Sequence, residues 1–312
     1  MNCDAAQRIK AAAQELGFEA CGIAAVTSVD DEAVARYERW LDEGRNGCMD
    51  WAARHRELRN DPRELLEGAR SIIVVALNYY PAERQAPDAP QVAFYAYGRD
   101  YHEVMRERLG QLATKVQEIC GGTTRACVDS APLRERYWAQ QAGIGFIGRN
   151  NCLILPGKGS FFVLGELLTT AVLPPDEPCT QSCGDCMACV KACPGGALND
   201  EGAVDASRCL SYLTIEHHGE LPQWVSSVID RRVVGCDACQ LCCPHNAAAR
   251  PTTIPDFAMT PAVRNLTPEV INAMTGNQFK RCFAHSAILR VRLAGLRRNL
   301  AAAHIFDENR AQ

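Results

Sequence analysis

Four cysteines with the spacing C-x2-C-x2-C-x3-C, followed at once by a proline, are the residues of this chain best suited to chemistry. They are Cys183, Cys186, Cys189 and Cys193, with Pro194 after them. This run holds [4Fe–4S] clusters in bacterial ferredoxins, where its fourth cysteine ligates a second cluster. A second run is therefore expected, and Cys236, Cys239 and Cys243 supply it. The spacing predicts one-electron transfer through two clusters.

The two ligand sets follow from the positions of the prolines. In the first run the proline follows the cysteine that crosses to the other cluster, so Cys243, which precedes Pro244, is the expected crossing ligand. Cys209, between the runs, completes the second set, and Cys242 remains a possible competitor of its neighbour Cys243. Cluster one is thus expected on Cys183, Cys186, Cys189 and Cys243, and cluster two on Cys193, Cys209, Cys236 and Cys239.

Other uses of these cysteines fit the pattern less well. A single C-x2-C pair is typical of zinc or of a redox dithiol, but here more thiols converge than a four-ligand zinc site takes. A disulfide framework is not expected either, because a chain of 312 residues can bury a full core without staples. The remaining cysteines are interpreted as small buried hydrophobic residues.

Composition indicates a cytoplasmic protein with one basic end. The first residues lack an export signal, and no apolar stretch is long enough to cross a membrane. Seventeen cysteines then point to a reducing compartment. The net charge is −4, yet residues 271–306 carry six basic and no acidic side chains. Such a block fits either a polyanion-binding surface or the solvated face of a terminal helix.

Helical and strand-like segments alternate in the first half of the chain. Helices are predicted at Ala5–Leu16, Tyr101–Cys120 and Leu133–Ala142, and strands at Phe18–Val26, Ser71–Tyr79, Arg125–Val128 and Phe161–Val172. This pattern predicts an α/β (α+β) domain over residues 1–175. A ferredoxin-like module with two clusters is expected over 176–250, and a basic helical segment over 251–312.

Several stretches together resemble the epoxyqueuosine reductases. They are RNDPRELLEGARSIIVVALNYY, YGRDYHEV, VDSAPLRERYWAQQAGIGFIGRNNCLI, GSFFVLGELL, RCLSYLTIE and GCDACQLCCPHN. The resemblance implies a first domain similar to corrinoid reductive dehalogenases that binds base-off cobalamin. It implies an oxidoreductase that reduces the epoxide of epoxyqueuosine at the wobble position of tRNA, the last step of queuosine biosynthesis. An external low-potential donor would supply the electrons to a monomeric enzyme.

The same resemblance assigns residues to the site. Asp129 matches the proton donor and a cobalamin contact, and desolvation against the corrin would raise its pKa. Further cobalamin contacts are expected at Arg59, Leu153, Leu164, Ser211 and Asp237, and tRNA contacts at Arg136, Arg297 and Arg298. Without the resemblance, the aspartate in VDSAP would be interpreted as a helix cap, and Leu153 and Leu164 as core residues. Asp237 would be interpreted as a residue that tunes the reduction potential of a cluster.

Two departures from the family pattern bear on function. Phe94 stands where relatives often carry arginine, and the helical region that grips tRNA in many members is short here, since the sequence ends at Gln312. These departures put the affinity for tRNA in doubt and leave the chemistry unchanged. A corrinoid reductase of a small molecule, similar to a dehalogenase, is an alternative hypothesis, although the twin-arginine export signal typical of such enzymes is absent and the basic block would have no purpose there. A plain electron carrier is a third, although it leaves a domain of about 175 residues unexplained.

Overall fold

A four-stranded sheet organises the first half of the chain in the computed structural model, which describes residues 3–303. The strands are β1 (Ala20–Ala25), β2 (Ser71–Asn78), β3 (Gln91–Val92), β4 (Thr124–Cys127), β5 (Phe146–Ile147), β6 (Leu153–Ile154), β7 (Phe162–Thr169) and β8 (Arg232–Val234). The sheet has the order β1-β2-β7-β4, and every neighbouring pair is antiparallel. The α+β form of the predicted domain is therefore the one that the chain adopts.

Helices cover both faces of this sheet and build the rest of the described chain. They are α1 (Cys3–Glu15), α2 (Asp31–Asp42), α3 (Asp50–Ala53), α4 (Arg56–Asn60), α5 (Tyr101–Cys120), α6 (Glu135–Gln141), α7 (Ala188–Ala192), α8 (Leu210–Ile215), α9 (Ala238–Leu241), α10 (Pro261–Arg264), α11 (Pro268–Ala273), α12 (Gly276–Cys282) and α13 (Arg292–Ala302). Among residues 3–303, no helix has the length and apolar character needed to cross a bilayer.

The β2 strand is buried along nearly its whole length because helices pack on both sides of it. Ile73, Val75 and Leu77 join the core beneath α1 and α5. Ile72 and Val74 point to the opposite face, where α6 packs. Each fully buried aliphatic side chain of this kind contributes about 1.5–3 kcal/mol through removal from water. The two cores fix the position of the loop that follows β4.

The helix α5 begins and ends where local signals place it. Asp100 accepts a hydrogen bond from the His102 amide at 2.9 Å, which satisfies one of the free donors of the first turn. Gly121 follows the last turn with φ +69°, a conformation that glycine adopts without a Cβ clash. The observed bounds are those predicted from the sequence.

The cluster module is joined to the sheet domain by main-chain pairing. The strands β3 and β8 form a parallel pair, with Gln91 opposite Arg232 and Val92 opposite Val234. The C-terminal helix α13 packs against α8 and β8, and its fully buried Asn299 donates to the carbonyls of Thr214 and Val233, each at 2.8 Å. The last described helix is thus part of the same packed body.

Candidate functional site

Asp129 follows β4 in an unusual backbone conformation. Its φ of +41° lies in the left-handed region, which few residues other than glycine adopt, although aspartate is one of the more tolerant. Residues held in this way concentrate at functional sites. The side chain remains 53% exposed. The loop therefore presents a carboxyl group at the edge of the sheet.

Two side chains from the start of α5 hold this carboxyl group. The Asp129 Oδ2 atom accepts a hydrogen bond from the Tyr101 hydroxyl at 2.9 Å, and it lies 2.9 Å from His102 Nε2. The other ring nitrogen of His102 is 2.7 Å from Asp100 Oδ1. The sequence pattern YGRDYH contains all three partners, yet the sequence alone assigns none of them a role.

The protonation of this group is set by the hydrogen bonds. Burial would lower the pKa of His102, but the carboxylates of Asp100 and Asp129 outweigh it and raise that pKa to about 9. Burial would likewise raise the pKa of Asp129, but His102, Tyr101 and Arg136 together hold it below its usual value. The raised pKa of Asp129 that the resemblance implies belongs to the complex with corrin and substrate, and in the free protein the hydrogen bonds outweigh burial. At neutral pH His102 carries the proton and Asp129 the negative charge.

The raised pKa of His102 can be measured directly. We expect the ring to titrate near pH 9 by NMR of labelled histidine, since both of its nitrogens face carboxylates. In an Asp129→Asn variant one of these carboxylates is lost, so the midpoint should fall toward the ordinary value of about 6.5. A midpoint near 6.5 in the unaltered protein would contradict this electrostatic arrangement.

Two further carboxyl groups, which the sequence analysis missed, lie behind Asp129. The Glu135 Oε1 atom accepts a hydrogen bond from the Asp129 amide at 2.5 Å, and burial raises the pKa of Glu135 to about 7. Glu166 on β7 is fully buried, and burial raises its pKa well above the usual value. A glutamate inside the apolar run Phe161–Val172 was a signal that could have found it.

The predicted cofactor contacts occupy different environments. Leu153 and Leu164 are buried in the core on the α6 face, together with Trp138. Arg59 donates to the carbonyl of Trp51 at 3.3 Å, and its guanidinium lies 5.8 Å above that indole ring. Ser211, in the first turn of α8, is half-buried, and its carbonyl accepts from the Thr214 hydroxyl at 3.2 Å.

Asp237 lies between two predicted cluster ligands and supports the neighbouring domain. Its Oδ2 atom accepts a hydrogen bond from the Phe94 amide at 2.8 Å, and burial raises its pKa to about 6. The Phe94 ring is buried, and the Arg84 guanidinium lies 5.2 Å above it. A guanidinium therefore reaches this region from Arg84, although position 94 itself is aromatic.

The predicted arginine contacts with tRNA are also engaged inside the protein. Arg136 is exposed, donates to the Asn151 carbonyl at 2.5 Å, and lowers the pKa of Asp129 by its charge. Arg297 donates to the carbonyls of Asn272 and Met274, each at 2.7 Å. Arg298 donates to main-chain carbonyls that include those of Leu213 and His217, at 2.9 and 2.7 Å. Arg297 and Arg298 thus fasten α13 to its neighbours.

The cysteines of the two runs are brought together where α7 packs against α9. Burial raises the pKa of Cys243, and the nearby thiols of Cys183 and Cys186 raise it further. Burial and the nearby thiol of Cys193 likewise raise the pKa of Cys209. These neighbours are the partners that the ligand prediction assigns to one cluster or the other.

The second group of thiols is compact as well. The pKa of Cys236 is raised by burial and by the neighbouring Cys209. Cys239 exchanges a hydrogen bond with Cys152, and this bond, burial and the nearby Cys236 raise its pKa. Cys242 adjoins one predicted ligand of each cluster, since Cys186 and Cys193 raise its pKa after burial does. Its competition with Cys243 is therefore still open.

The cysteines of the two runs are available as ligands. All cysteines whose side chains the structure describes are free thiols. Within residues 3–303, no three His, Cys, Asp or Glu side chains are arranged to hold one metal ion. Two sets of four thiolates are the donors that two [4Fe–4S] clusters require.

Two families of known proteins match this chain. The family described as "Epoxyqueuosine reductase QueG, DUF1730" matches residues 59–130, and the "4Fe-4S double cluster binding domain" matches residues 182–246. The second match confirms the predicted pair of clusters. It covers all eight predicted ligands.

Curated relatives match over nearly the whole length. The chain is 41% identical to the epoxyqueuosine reductase of Cellulophaga algicola over 293 residues, which are 94% of this chain and 95% of that protein. It is also 41% identical to the Escherichia coli enzyme, with 96% and 80% of the two chains covered.

Solved structures agree with the sequence matches. A crystal structure of epoxyqueuosine reductase with an epoxyqueuosine-modified tRNA-Tyr stem loop matches with a TM-score of 0.87 and 30% identity, and covers 97% of this chain and 82% of that one. The Bacillus subtilis epoxyqueuosine reductase with its catalytic aspartate loop swung out of the active site matches with a TM-score of 0.86 and 29% identity, over 97% and 82% of the two chains. The chain belongs to the epoxyqueuosine reductase family.

Proposed function

We propose that this protein reduces the epoxide of epoxyqueuosine at the wobble position of tRNA and thereby forms queuosine. The observation that carries the proposal is the match, over almost the full chain, to epoxyqueuosine reductases, one of them crystallised with its modified tRNA stem loop. An external low-potential donor supplies single electrons to the two clusters of a monomeric enzyme. The proposal includes three domains, with boundaries at about residues 175 and 250: a cobalamin-binding domain, a two-cluster domain and a basic helical segment.

Base-off cobalamin is the proposed cofactor, and the side chains around Asp129 fit it. Leu153 and Leu164 offer an apolar floor, and Asp129 opens to solvent beside them because it continues from β4, the neighbour of β7. When bound, cobalamin supplies a strongly reducing cobalt centre that accepts electrons from the clusters. The residues that would hold it are Arg59, Asp129, Leu153, Leu164, Ser211 and Asp237.

The reaction sets the task of the protein side chains. Converting an epoxide to an alkene takes up two electrons and two protons and releases one water. Asp129 is the proposed donor of a proton to the departing oxygen. It is a carboxylate in the free protein at neutral pH, and exclusion of water by bound substrate would raise its pKa so that it takes up this proton first. Tyr101 and His102 orient the carboxyl group, and the positive charge of Arg136 stabilises the carboxylate that is left after the transfer. Proton donation of this kind accelerates reactions by about 100- to 10,000-fold.

The test is an anaerobic reaction of the cluster-loaded protein with cobalamin, a low-potential reductant and tRNA that contains epoxyqueuosine. Mass analysis of the digested tRNA should then show queuosine in place of the epoxide. Unchanged epoxyqueuosine, in the presence of bound and reduced cobalamin, would reject the proposal. That result would favour the alternative of a small-molecule substrate.

Three cations of the basic segment are free to meet phosphate. The side chains of Lys280, Arg281 and Arg292 are exposed and make no hydrogen bond or ion pair with any residue in 3–303. Changing all three to glutamine should weaken tRNA binding and lower the slope of log affinity against log salt by roughly two to three units. Filter binding at several salt concentrations measures both quantities.

Matched changes at Arg8, Arg36 and Lys115 provide the control. These side chains are also more than half exposed, but they lie on α1, α2 and α5, outside the basic segment. An equal loss of tRNA affinity in both triple variants would show a general effect of charge and would contradict a specific contact by the basic segment. Arg297 and Arg298 are left unchanged, because their removal would leave partly buried carbonyls without a donor and loosen α13.

A further inference from the structure

Glu166 is a buried carboxyl group with no partner. It lies on β7, a central strand, opposite Val74 of β2 on one side and Cys127 of β4 on the other. The residue is 0% exposed, and neither of its carboxyl oxygens has a hydrogen-bond partner among the described residues. Nearly all buried polar side-chain atoms in proteins are hydrogen-bonded, so this exception calls for an explanation.

An ionised carboxylate is not compatible with this environment. Removing a charge from water without pairing it costs several kcal/mol, and a buried carboxyl group avoids that cost by remaining protonated. The charged groups that act on Glu166 are the carboxyls of Glu135 and Asp129, and both favour its neutral form. Of the charges near the site, Arg136 and His102 act on Glu135. Glu166 thus holds a proton in the interior of the sheet.

The position of Glu166 connects this proton to the proposed reaction centre. Side chains alternate along a strand, so Glu166 lies on the same face as Leu164 and Leu168, beneath α6. Glu135 is the first residue of α6, and its Oε1 atom accepts from the amide of Asp129. Asp129 itself comes two residues after Cys127, the strand partner of Glu166. Three carboxyl groups therefore lead from the core to the exposed loop that bears Asp129.

We propose that Glu166 and Glu135 form a proton store that reloads Asp129 during epoxide reduction, with water bridging the buried carboxyl groups. This inference rests on the proposed function. It assigns the second proton of the reaction to residues that the family resemblance does not name. Glu166 is a positioning residue in this scheme, since it acts through Glu135.

The atoms and electrons balance as follows. Two electrons arrive one at a time through the iron–sulfur clusters, the carbon–oxygen bonds of the epoxide break, and the alkene forms. Asp129 is a carboxylate in the free protein; it takes up the first proton when bound substrate excludes water from it, and it gives that proton to the departing oxygen. It then receives a proton from Glu135, Glu135 regains one from Glu166, and the second proton passes to the oxygen through Asp129. Water leaves, Asp129 is again a carboxylate, and one proton from solvent refills Glu166.

The alternative source, His102, is less suitable for the second proton. Its pKa is about 9, whereas that of Glu135 is about 7, so Glu135 is the stronger acid and releases its proton to Asp129 at a lower cost. The imidazolium instead keeps the carboxyl group of Asp129 oriented through the 2.9 Å contact. His102 thus orients Asp129, whereas Glu135 supplies it with a proton.

The stored proton has a spectroscopic signature that does not depend on turnover. Infrared spectra of the intact, cluster-loaded protein at pH 7 should contain the carbonyl band of a buried protonated carboxylic acid. Its frequency should shift in D2O, and the band should be missing in a Glu166→Gln variant. The matched control is Glu118→Gln, an exposed glutamate on α5. A wild-type spectrum without this band, or a band that persists in Glu166→Gln, overturns the proposal.

Kinetics then tests the transfer of the proton. At pH 8 the Glu166→Gln variant should reduce epoxyqueuosine-tRNA about 100-fold more slowly than the wild type, with tRNA affinity, iron content and cobalamin binding unchanged. The deficit should shrink below pH 7, because Glu135 then takes its proton directly from solvent. Wild-type rates in the variant from pH 6 to 9 would overturn the proposal. A wild type that leaves the epoxide intact would reject the proposed function instead, while the infrared result still decides whether the proton is stored.

Discussion

Replacing Asp129 by asparagine should slow epoxide reduction by roughly 100- to 10,000-fold. The amide preserves the shape of the side chain and can still accept from Tyr101, but it has no acidic proton to give to the departing oxygen. Single-turnover reduction of epoxyqueuosine-tRNA measures the rate, and the anaerobic absorption spectrum measures cobalamin binding. We expect binding to persist while the chemistry is lost.

A matched Tyr101→Phe variant distinguishes the role of the Asp129 carboxyl group from that of the hydrogen bond that Tyr101 donates to it. It removes one hydrogen bond to Asp129 but leaves the carboxyl group and His102 in place. We expect a smaller loss of rate in this variant, because a single hydrogen bond to a charged group is worth about 1.5–3 kcal/mol. Full activity of Asp129→Asn would remove Asp129 from the role of proton donor.

Replacing Cys243 by alanine should remove one of the two clusters, whereas the same change at Cys242 should remove neither. Cys243 adjoins Cys183 and Cys186, and it is the cysteine that precedes the proline, as in the first run. We therefore expect about four irons per molecule in Cys243→Ala and about eight in Cys242→Ala. Iron analysis and the cryogenic spectrum of the reduced clusters, after anaerobic reconstitution, measure the difference.

The contrast between these neighbours makes the test informative, because Cys242 also adjoins Cys186 and Cys193. Cys48→Ala, a change at an exposed cysteine outside both runs, controls for the general loss of a thiol. Equal iron contents in Cys242→Ala and Cys243→Ala would contradict the ligand assignment. A lower content in Cys242→Ala alone would exchange the two roles.

Much of the sheet domain could be predicted because its signals are local. The run Ser71–Leu77 is apolar at every position after its first residue, as expected for a strand with helices on both faces, and it forms β2. Asp100 and Gly121 mark the ends of α5 in the sequence itself. The strand order β1-β2-β7-β4 depends on contacts between distant segments, which local patterns do not contain.

The site was only partly predictable for a similar reason. Asp129 was found through the resemblance of VDSAP, but its left-handed backbone and its contact with His102 arise from tertiary structure. The pairing of Glu166 with Cys127 across β4 and β7 is equally non-local. Arg297 and Arg298 remain predicted tRNA contacts, and their hydrogen bonds to the carbonyls of Met274 and His217 join segments that are distant in the sequence.

The parallel pairing of β3 with β8 has a consequence for how the protein works. Main-chain hydrogen bonds join the sheet domain to the segment that carries the second cysteine run, and Asp237 adds a bond to the Phe94 amide. A corrin bound by the sheet domain would therefore stay at a nearly constant distance from clusters held by the cysteines. Since tunnelling rates fall exponentially with distance, electron delivery would then be equal from one cycle to the next. Under the proposed function, entry and exit of the anticodon would depend on small loops such as the one bearing Asp129.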